Sequence, residues 1–330
     1  MTLLQESSME LQKKYKEVSR RYYLYIPIVC LVLLAAFIDL RLCAVAIVFS
    51  LGYQLIYLRR KRQEYSALFN HYHILIGMEN QMEGLQHTHL EGVSREDILK
   101  ARLIPVTEKD KCLLTREHTI GLAKGLPVEL CDATFCYQYK SGRQNRGYCV
   151  SGCWSRIELP TFTGCDWRLI EKDVLNELAR RSYFSAYPEL ERAQVGVEWV
   201  DQKYYFYRPK GSDEKPDALL LKQLKLLQEY TPGRICISLC GNLFQVFIQN
   251  RVLSRNVSLA ATLTVQQISA CPFPELEYLV RMARLITRQE QEVLVPVQKQ
   301  EEPAASQPQK AAQPAEEGAV QEMEEDKDQA

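Results

Sequence analysis

Eleven cysteines are the residues of this chain most able to do chemistry. Three pairs of them are close in sequence: Cys131 with Cys136, Cys149 with Cys153, and Cys236 with Cys240. Their spacings differ from the Cys-x2-Cys knuckles that are typical of structural zinc sites. On a strand, residues four apart share a face, so Cys149 with Cys153 and Cys236 with Cys240 are predicted to be small buried side chains. We therefore favour core packing, with metal binding and redox sensing as the alternatives.

A cysteine nucleophile would need a base within hydrogen-bond reach. His118 is the only histidine inside the predicted globular domain, so Cys149 with His118 is the pair that the sequence offers, and no motif supports it. His87 and His89 are predicted to be solvent-exposed, because no thiol or carboxylate pattern surrounds them. The sequence therefore predicts no catalytic residue, no metal ligand and no cofactor.

Two apolar runs near the N-terminus, Tyr22–Ile38 and Leu42–Leu58, contain no charged residue. Each is at the lower limit for crossing a bilayer, which needs roughly 17–25 helical residues. Asp39 and Arg41 lie between the runs, and charges at the bilayer centre are costly. The sequence therefore predicts a transmembrane hairpin of two transmembrane helices, 22–38 and 42–58. A buried helical hairpin in a soluble core is the alternative.

Basic residues flank both outer ends of this predicted hairpin. They are Lys13, Lys14, Lys16, Arg20 and Arg21 before it, and Arg59, Arg60, Lys61 and Arg62 after it. Under the positive-inside rule these flanks predict a multi-pass protein of the cytoplasmic (inner) membrane, with both termini cytoplasmic and the lipid bilayer as a partner. Setting topology is the favoured role of the flanks, and gripping anionic headgroups is the alternative.

The remaining chain is predicted to be an α+β domain with a largely antiparallel sheet, because strands and helices are mixed without strict alternation. A basic cytoplasmic segment, 1–21, precedes the hairpin. A juxtamembrane amphipathic helix, 59–93, joins the hairpin to a cytoplasmic domain, 94–292. Within that domain, apolar periodicity predicts helices over Ser94–Leu103, Asp166–Tyr183, Lys215–Tyr230 and Phe273–Gln291. Hairpins are predicted over Val128–Leu159 and Ile235–Ile248, and two short strands over Val195–Tyr207.

Charge is balanced overall but unevenly distributed. Glu301–Ala330 has nine acidic residues and two lysines, a net charge of −7, and Met1–Tyr65 has ten basic and five acidic residues, a net charge of +5. Ser66–Gln300 carries only the remaining +2, which gives no electrostatic footprint for DNA or RNA. The segment 293–330 is predicted to be a disordered acidic tail. Carboxylate pairs such as Glu275 with Glu277 are interpreted as solvated surface.

Several strings resemble the bacterial membrane-anchored family called domain of unknown function 3137. They include Gly92–Leu99 with Leu103-Ile104-Pro105, Thr119–Leu122 before Val128–Leu130, Gly152-Cys153-Trp154, and Tyr204–Pro209. The resemblance implies a basic N-terminal segment, a short membrane hairpin and a cytoplasmic α+β domain. The family has no assigned reaction, so the resemblance implies no catalytic or binding residue.

From the sequence we expect a membrane-tethered interaction or scaffold module with a protein partner and possible self-association. A membrane-associated enzyme of unrecognised type, using the Cys149/Cys153 strand with His118, and an anionic-lipid surface sensor are the alternatives. No catalytic motif is recognised, which favours a non-enzymatic role.

Overall fold

An antiparallel sheet of nine strands lies at the centre of the part of the chain that the computed structural model describes, residues 3–38, 40–104, 113–141, 144–177, 187–255 and 264–288. The strands are β1 (Glu83–Thr88), β2 (Leu113–Ala123), β3 (Leu126–Ser141), β4 (Gln144–Glu158), β5 (Asp166–Glu171), β6 (Leu190–Ala193), β7 (Tyr204–Pro209), β8 (Ile235–Cys240) and β9 (Leu243–Gln249). Their order is β1-β2-β3-β4-β9-β8-β5-β7-β6. Every neighbouring pair is antiparallel, which confirms the expected sheet.

Helices precede the sheet and cover its faces. They are α1 (Leu3–Ile38), α2 (Leu40–Gly52), α3 (Arg59–Met78), α4 (Arg95–Ala101), α5 (Lys172–Glu177), α6 (Glu198–Lys203), α7 (Ala218–Tyr230), α8 (Val265–Ser269) and α9 (Leu276–Ile286), with a π-helical segment, Tyr53–Leu58, between α2 and α3. Three begin at side-chain caps, because Ser94 accepts from the Asp97 backbone N–H, Asp217 accepts from the Leu219 N–H and Thr264 accepts from the Gln267 N–H.

The two faces of the sheet belong to separate apolar clusters. On one side, the end of α3, α7 and α9 pack on alternate strand residues such as Val128, Ile157 and Val246. On the other side, α4 and the residues after it pack on the opposite set, which includes Phe135 and Trp154. This division follows from the period of two along each strand. A third cluster joins α1 to α3 and α8.

The predicted transmembrane hairpin is wrong. Within the described ranges, no helix is both long enough and apolar enough to cross a membrane. The first run is the C-terminal part of α1, whose N-terminal part carries the basic flank, and the second run is divided between α2 and the π-helical segment. The 13 residues of α2 extend about 20 Å, against about 30 Å for a hydrocarbon core. The predicted transmembrane helices and the multi-pass inner-membrane location are therefore corrected.

Three predicted elements also differ from the structure. The segment predicted as the helix Asp166–Tyr183 begins with β5, which lies between β7 and β8 and is buried over nearly its whole length. A short apolar run buried on both faces cannot be distinguished from a helix by periodicity. The predicted Val195–Tyr207 strand pair contains α6, and the predicted helix over 59–93 ends at Met78, before β1.

Other predicted elements are confirmed. The hairpins β3–β4 and β8–β9 lie where the sequence places them, with Gly241 at positive φ (63°) in the second turn. Helices α4, α7 and α9 lie inside their predicted ranges. The predicted disordered tail, 293–330, lies outside the described residues.

Candidate functional site

A β-bulge in β2 is the structural origin of the candidate site. The pairing of β2 with β3 changes register between Arg116 and Thr119. Glu117 has a positive φ of 57°, which is uncommon for a residue with a side chain. Its backbone N–H donates to the carbonyl of His89 at 3.1 Å and that of His118 donates to the carbonyl of Glu91 at 3.1 Å. Bulges re-aim side chains, and strained backbone of this kind concentrates at functional positions.

The bulge directs the Glu117 carboxylate into the interior, where the residue is 2% exposed. Oε2 lies 2.8 Å from Nε2 of His87, and Oε1 lies 2.6 Å from Nδ1 of His89. Asn70 of α3 also donates its amide to Oε1, at 3.4 Å. A buried carboxylate requires partners of this kind, since an unpaired buried charge is strongly destabilising.

His71 extends the network towards α1. Its Nδ1 lies 2.9 Å from Nδ1 of His87, so one of these nitrogens donates to the other. Burial lowers the pKa of His71, and the neighbouring His87 lowers it further. The arrangement joins α3, β1 and β2 by a chain of hydrogen bonds from His71 through His87 to Glu117.

The prediction that His87 and His89 are solvent-exposed is therefore wrong. The His87 side chain is 0% exposed and that of His89 is 32% exposed. His87 lies in the edge strand β1, and His89 directly follows it. β1 pairs with the bulged part of β2, where Thr88 is opposite His118. The sequence gives no direct signal for this contact, because the acidic partner is about thirty residues away and depends on the bulge.

Asp132 of β3 holds the loop after β9 beside the bulge. Oδ1 accepts from the backbone N–H of Leu253 at 2.5 Å, and Oδ2 accepts from the N–H and the hydroxyl of Ser254 at 3.0 and 2.6 Å. Burial raises the pKa of the Asp132 carboxyl, and these hydrogen bonds oppose the rise. The next residue, Arg255, donates its backbone N–H to Oδ1 of Asn70 at 3.0 Å.

These elements line an open cavity of about 730 Å³, which we call the bulge pocket. It lies between α3, the residues after β1, the bulge, the middle of β3 and β4, and the loop after β9. Its polar lining includes Asn70, His89, Arg116, Glu117, Ser254 and Arg255. The volume is in the range of small-molecule sites in proteins.

The predicted basic residues lie on α1 and α3, and the structure brings part of the two flanks together. Glu64 of α3 is the meeting point, with Lys61 at 2.8 Å, Arg60 at 3.3 Å and Lys14 of α1 at 4.0 Å. The hydrogen bond from Lys61 lowers the pKa of Glu64. On α1, Arg21 pairs with Glu17 at 3.1 Å. Lys13, Lys16, Arg20, Arg59 and Arg62 are exposed.

Among the described cysteines, two form a disulfide and three are buried in the core, whereas Cys30 is exposed and the others are partly buried. Cys136 and Cys149 lie directly opposite each other on β3 and β4, with Cα atoms 4.1 Å apart, and are disulfide-bonded. The sequence interpretation compared neighbours along the chain and so missed this cross-strand pair. Cys149 therefore has no free thiol to act with His118 in this state. Cys153 is fully buried, and burial raises the pKa of its thiol well above the usual value, which does not suit a thiolate nucleophile.

A second feature is the apolar surface of the first two helices and the π-helical segment that follows them. We call it the hairpin surface. It consists of six side chains that are each 54–76% exposed: Leu31, Leu34, Val45, Val48, Phe49 and Ile56. The two helices are joined by polar contacts on their inner side, since Ser50 donates to the Tyr25 hydroxyl at 3.0 Å and that hydroxyl donates to Gln54 at 3.1 Å. The apolar side chains therefore face outwards.

Comparisons with known proteins found no matching family, no matching curated protein and no matching solved structure. The resemblance to the domain of unknown function 3137 family therefore stays a prediction. Within the described part of the chain, no group of three or more histidine, cysteine or carboxylate side chains is placed to hold a metal ion.

Proposed function

We propose that this protein is an interaction module that associates with a second copy of itself through the hairpin surface. The observation that carries the proposal is the exposure of large apolar side chains there, with Phe49, Ile56 and Val48 at 76%, 74% and 69%. Contiguous exposed apolar patches mark interaction sites, whereas singly scattered apolar residues are ordinary.

The spacing of these side chains supports a single docking face. Val45, Val48 and Phe49 of α2 follow each other at i, i+3 and i+4, and Leu31 and Leu34 of α1 are three apart. Residues at such spacings share one side of a helix. The adjoining runs Tyr22–Ile38 and Leu42–Leu58 contain no charge. A second hairpin of the same sequence offers a surface of the same apolar character, and two helical hairpins pack as a four-helix bundle with twofold symmetry.

Burial of the hairpin surface would contribute a free energy comparable with the cost of association. Full burial of one large aliphatic or aromatic side chain is worth about 1.5–3 kcal/mol. The six side chains are roughly two-thirds exposed, so burying them would contribute on the order of 6–12 kcal/mol per copy. Two copies together reach about 12–24 kcal/mol, a range that overlaps and extends above the ~4–15 kcal/mol that association costs in lost freedom.

Sedimentation velocity on matched variants tests the proposal. Phe49→Glu places a charge in the hairpin surface and should shift the full chain from dimer to monomer. Phe162→Glu is the control, because Phe162 is equally exposed, at 78%, but lies between β4 and β5. The control should sediment as the unchanged protein does. Equal sedimentation of the protein and both variants would overturn the proposal, as would a dimer that Phe49→Glu leaves intact.

A further inference from the structure

The bulge pocket is lined by two arginines that form no ion pair within the described part of the chain. Its three acidic groups are occupied: Glu64 by lysine and arginine side chains, Glu117 by His87 and His89, and Asp132 by the hydrogen bonds to Leu253 and Ser254. The two arginines of the lining differ from these acidic groups in their partners. Neither Arg116, which is exposed, nor Arg255, which is half-buried, has an acidic partner among the residues described here.

From this charge pattern we propose that the bulge pocket binds a small organic anion through Arg116 and Arg255, with a carboxylate or phosphate group as the recognised chemistry. Guanidinium groups present several N–H donors in a planar fork that matches the oxygens of both groups. Two guanidinium groups line one cavity, and neither forms an ion pair within the described residues, so both can donate to the oxygens of such a ligand.

Neutral polar groups complete the lining. The Thr134 and Ser151 hydroxyls are hydrogen-bonded to each other at 2.9 Å across β3 and β4, and both belong to the pocket. One hydroxyl hydrogen of the pair is used in that bond, so the other remains to donate to a ligand oxygen. Leu114 and Val252 supply apolar surface for the carbon part of an organic anion. The cavity of about 730 Å³ is large enough for more than an inorganic ion.

Asn70 connects the two segments that carry the arginines. Its amide donates to the bulge residue Glu117, next to Arg116, and its carbonyl oxygen accepts from the backbone of Arg255. One side chain thus connects the bulge to the loop after β9. One of these bonds needs a donor and the other needs an acceptor. An amide supplies both, whereas a carboxylate could only accept.

Isothermal titration of the full-length chain with citrate and with inorganic phosphate, each against sodium chloride of equal ionic strength, tests the inference. We expect saturable binding of at least one of the two anions. Arg116→Gln and Arg255→Gln should each weaken that binding by ten-fold or more. Arg288→Gln is the matched control, because Arg288 is exposed and lies after α9, outside the pocket lining; it should leave binding unchanged.

The outcomes are distinct. Binding that both pocket variants lose and the control keeps supports the inference, whichever of the two anions is preferred. Absence of binding of both anions, or binding that all three variants share, overturns it. Far-ultraviolet circular dichroism and the melting temperature in chloride establish that the variants fold. The hairpin surface is not part of this site, so sedimentation of Arg116→Gln and Arg255→Gln as the unchanged dimer separates failure here from failure of the self-association proposal.

Discussion

His73 should make the stability of the fold strongly dependent on pH. Its side chain is fully buried on α3, stacks on Phe69 with ring centroids 5.6 Å apart, and donates from Nδ1 to the carbonyl of Ile268 at 3.0 Å. Nε2 has no hydrogen-bond partner in the described structure. Protonating Nε2 would therefore place an unpaired charge in the interior.

Burial lowers the pKa of His73 from 6.5 to about 4, and the nearby Arg255 acts in the same direction, while the bond to Ile268 opposes it. Between pH 6.5 and pH 4 the unfolded chain takes up a proton at this position and the folded chain does not. The stabilisation is therefore complete above pH 6.5 and is lost as the pH falls towards 4. The pKa difference is worth about 3 kcal/mol, because each pKa unit corresponds to about 1.4 kcal/mol.

Equilibrium urea unfolding of the protein and of His73→Gln, followed by circular dichroism from pH 7.5 to pH 4, measures this effect. The glutamine amide does not titrate and retains a donor for the Ile268 carbonyl. We expect the unfolding free energy of the protein to fall about 3 kcal/mol further than that of the variant. Comparing the two proteins removes the contributions of all other titrating groups that they share. Parallel pH dependences would refute the reasoning.

Two further substitutions test the packing of the sheet and a buried ion pair. Gly152→Ala on β4 would place a Cβ 2.3 Å from the backbone carbonyl oxygen of Ile248, so we expect the unfolding free energy in urea to fall by about 1–3 kcal/mol. Gly52→Ala is the control, because no atom lies within 4 Å of its new Cβ, and it should be neutral or slightly stabilising. Equal effects of the two substitutions would contradict the close approach at Gly152. Arg251→Ala removes the guanidinium that lies 3.0 Å from the Glu275 carboxylate, which is 2% exposed, so a loss of about 3 kcal/mol is expected at neutral pH. Burial raises the pKa of Glu275, so this loss should shrink in urea unfolding at pH 5, and a loss independent of pH would exclude an unpaired carboxylate as its cause.

Much of the sheet could be predicted because its signals are local. The turn at Gly241-Asn242 and the apolar residues on either side specify β8–β9 without reference to the rest of the chain. Ser94 specifies the start of α4 in the same way. In contrast, β5 is central and buried, so its identity depends on the strands beside it, and the sequence could not distinguish it from a helix.

The candidate site could not be predicted, because long-range contacts create it. Glu117 contacts His87 and His89 only because the bulge turns its side chain into the interior. Arg255 lies at the pocket because hydrogen bonds to Asp132 and Asn70 hold the loop after β9. The interpretation of Glu275 as solvated surface is wrong for the same reason. Glu275 is buried, and its partner Arg251 is 24 residues away in the sequence. The apolar runs were recognised as unusual from the sequence, but the interpretation as membrane spans overlooked how the chain divides them among α1, α2 and the π-helical segment.

The molar mass of the full-length chain in solution tests the central claim most directly. Light scattering across a dilution series should give twice the chain mass of 38.1 kDa at micromolar concentration and above. A constant mass of 38.1 kDa at every concentration would contradict the claim that the hairpin surface binds a second copy.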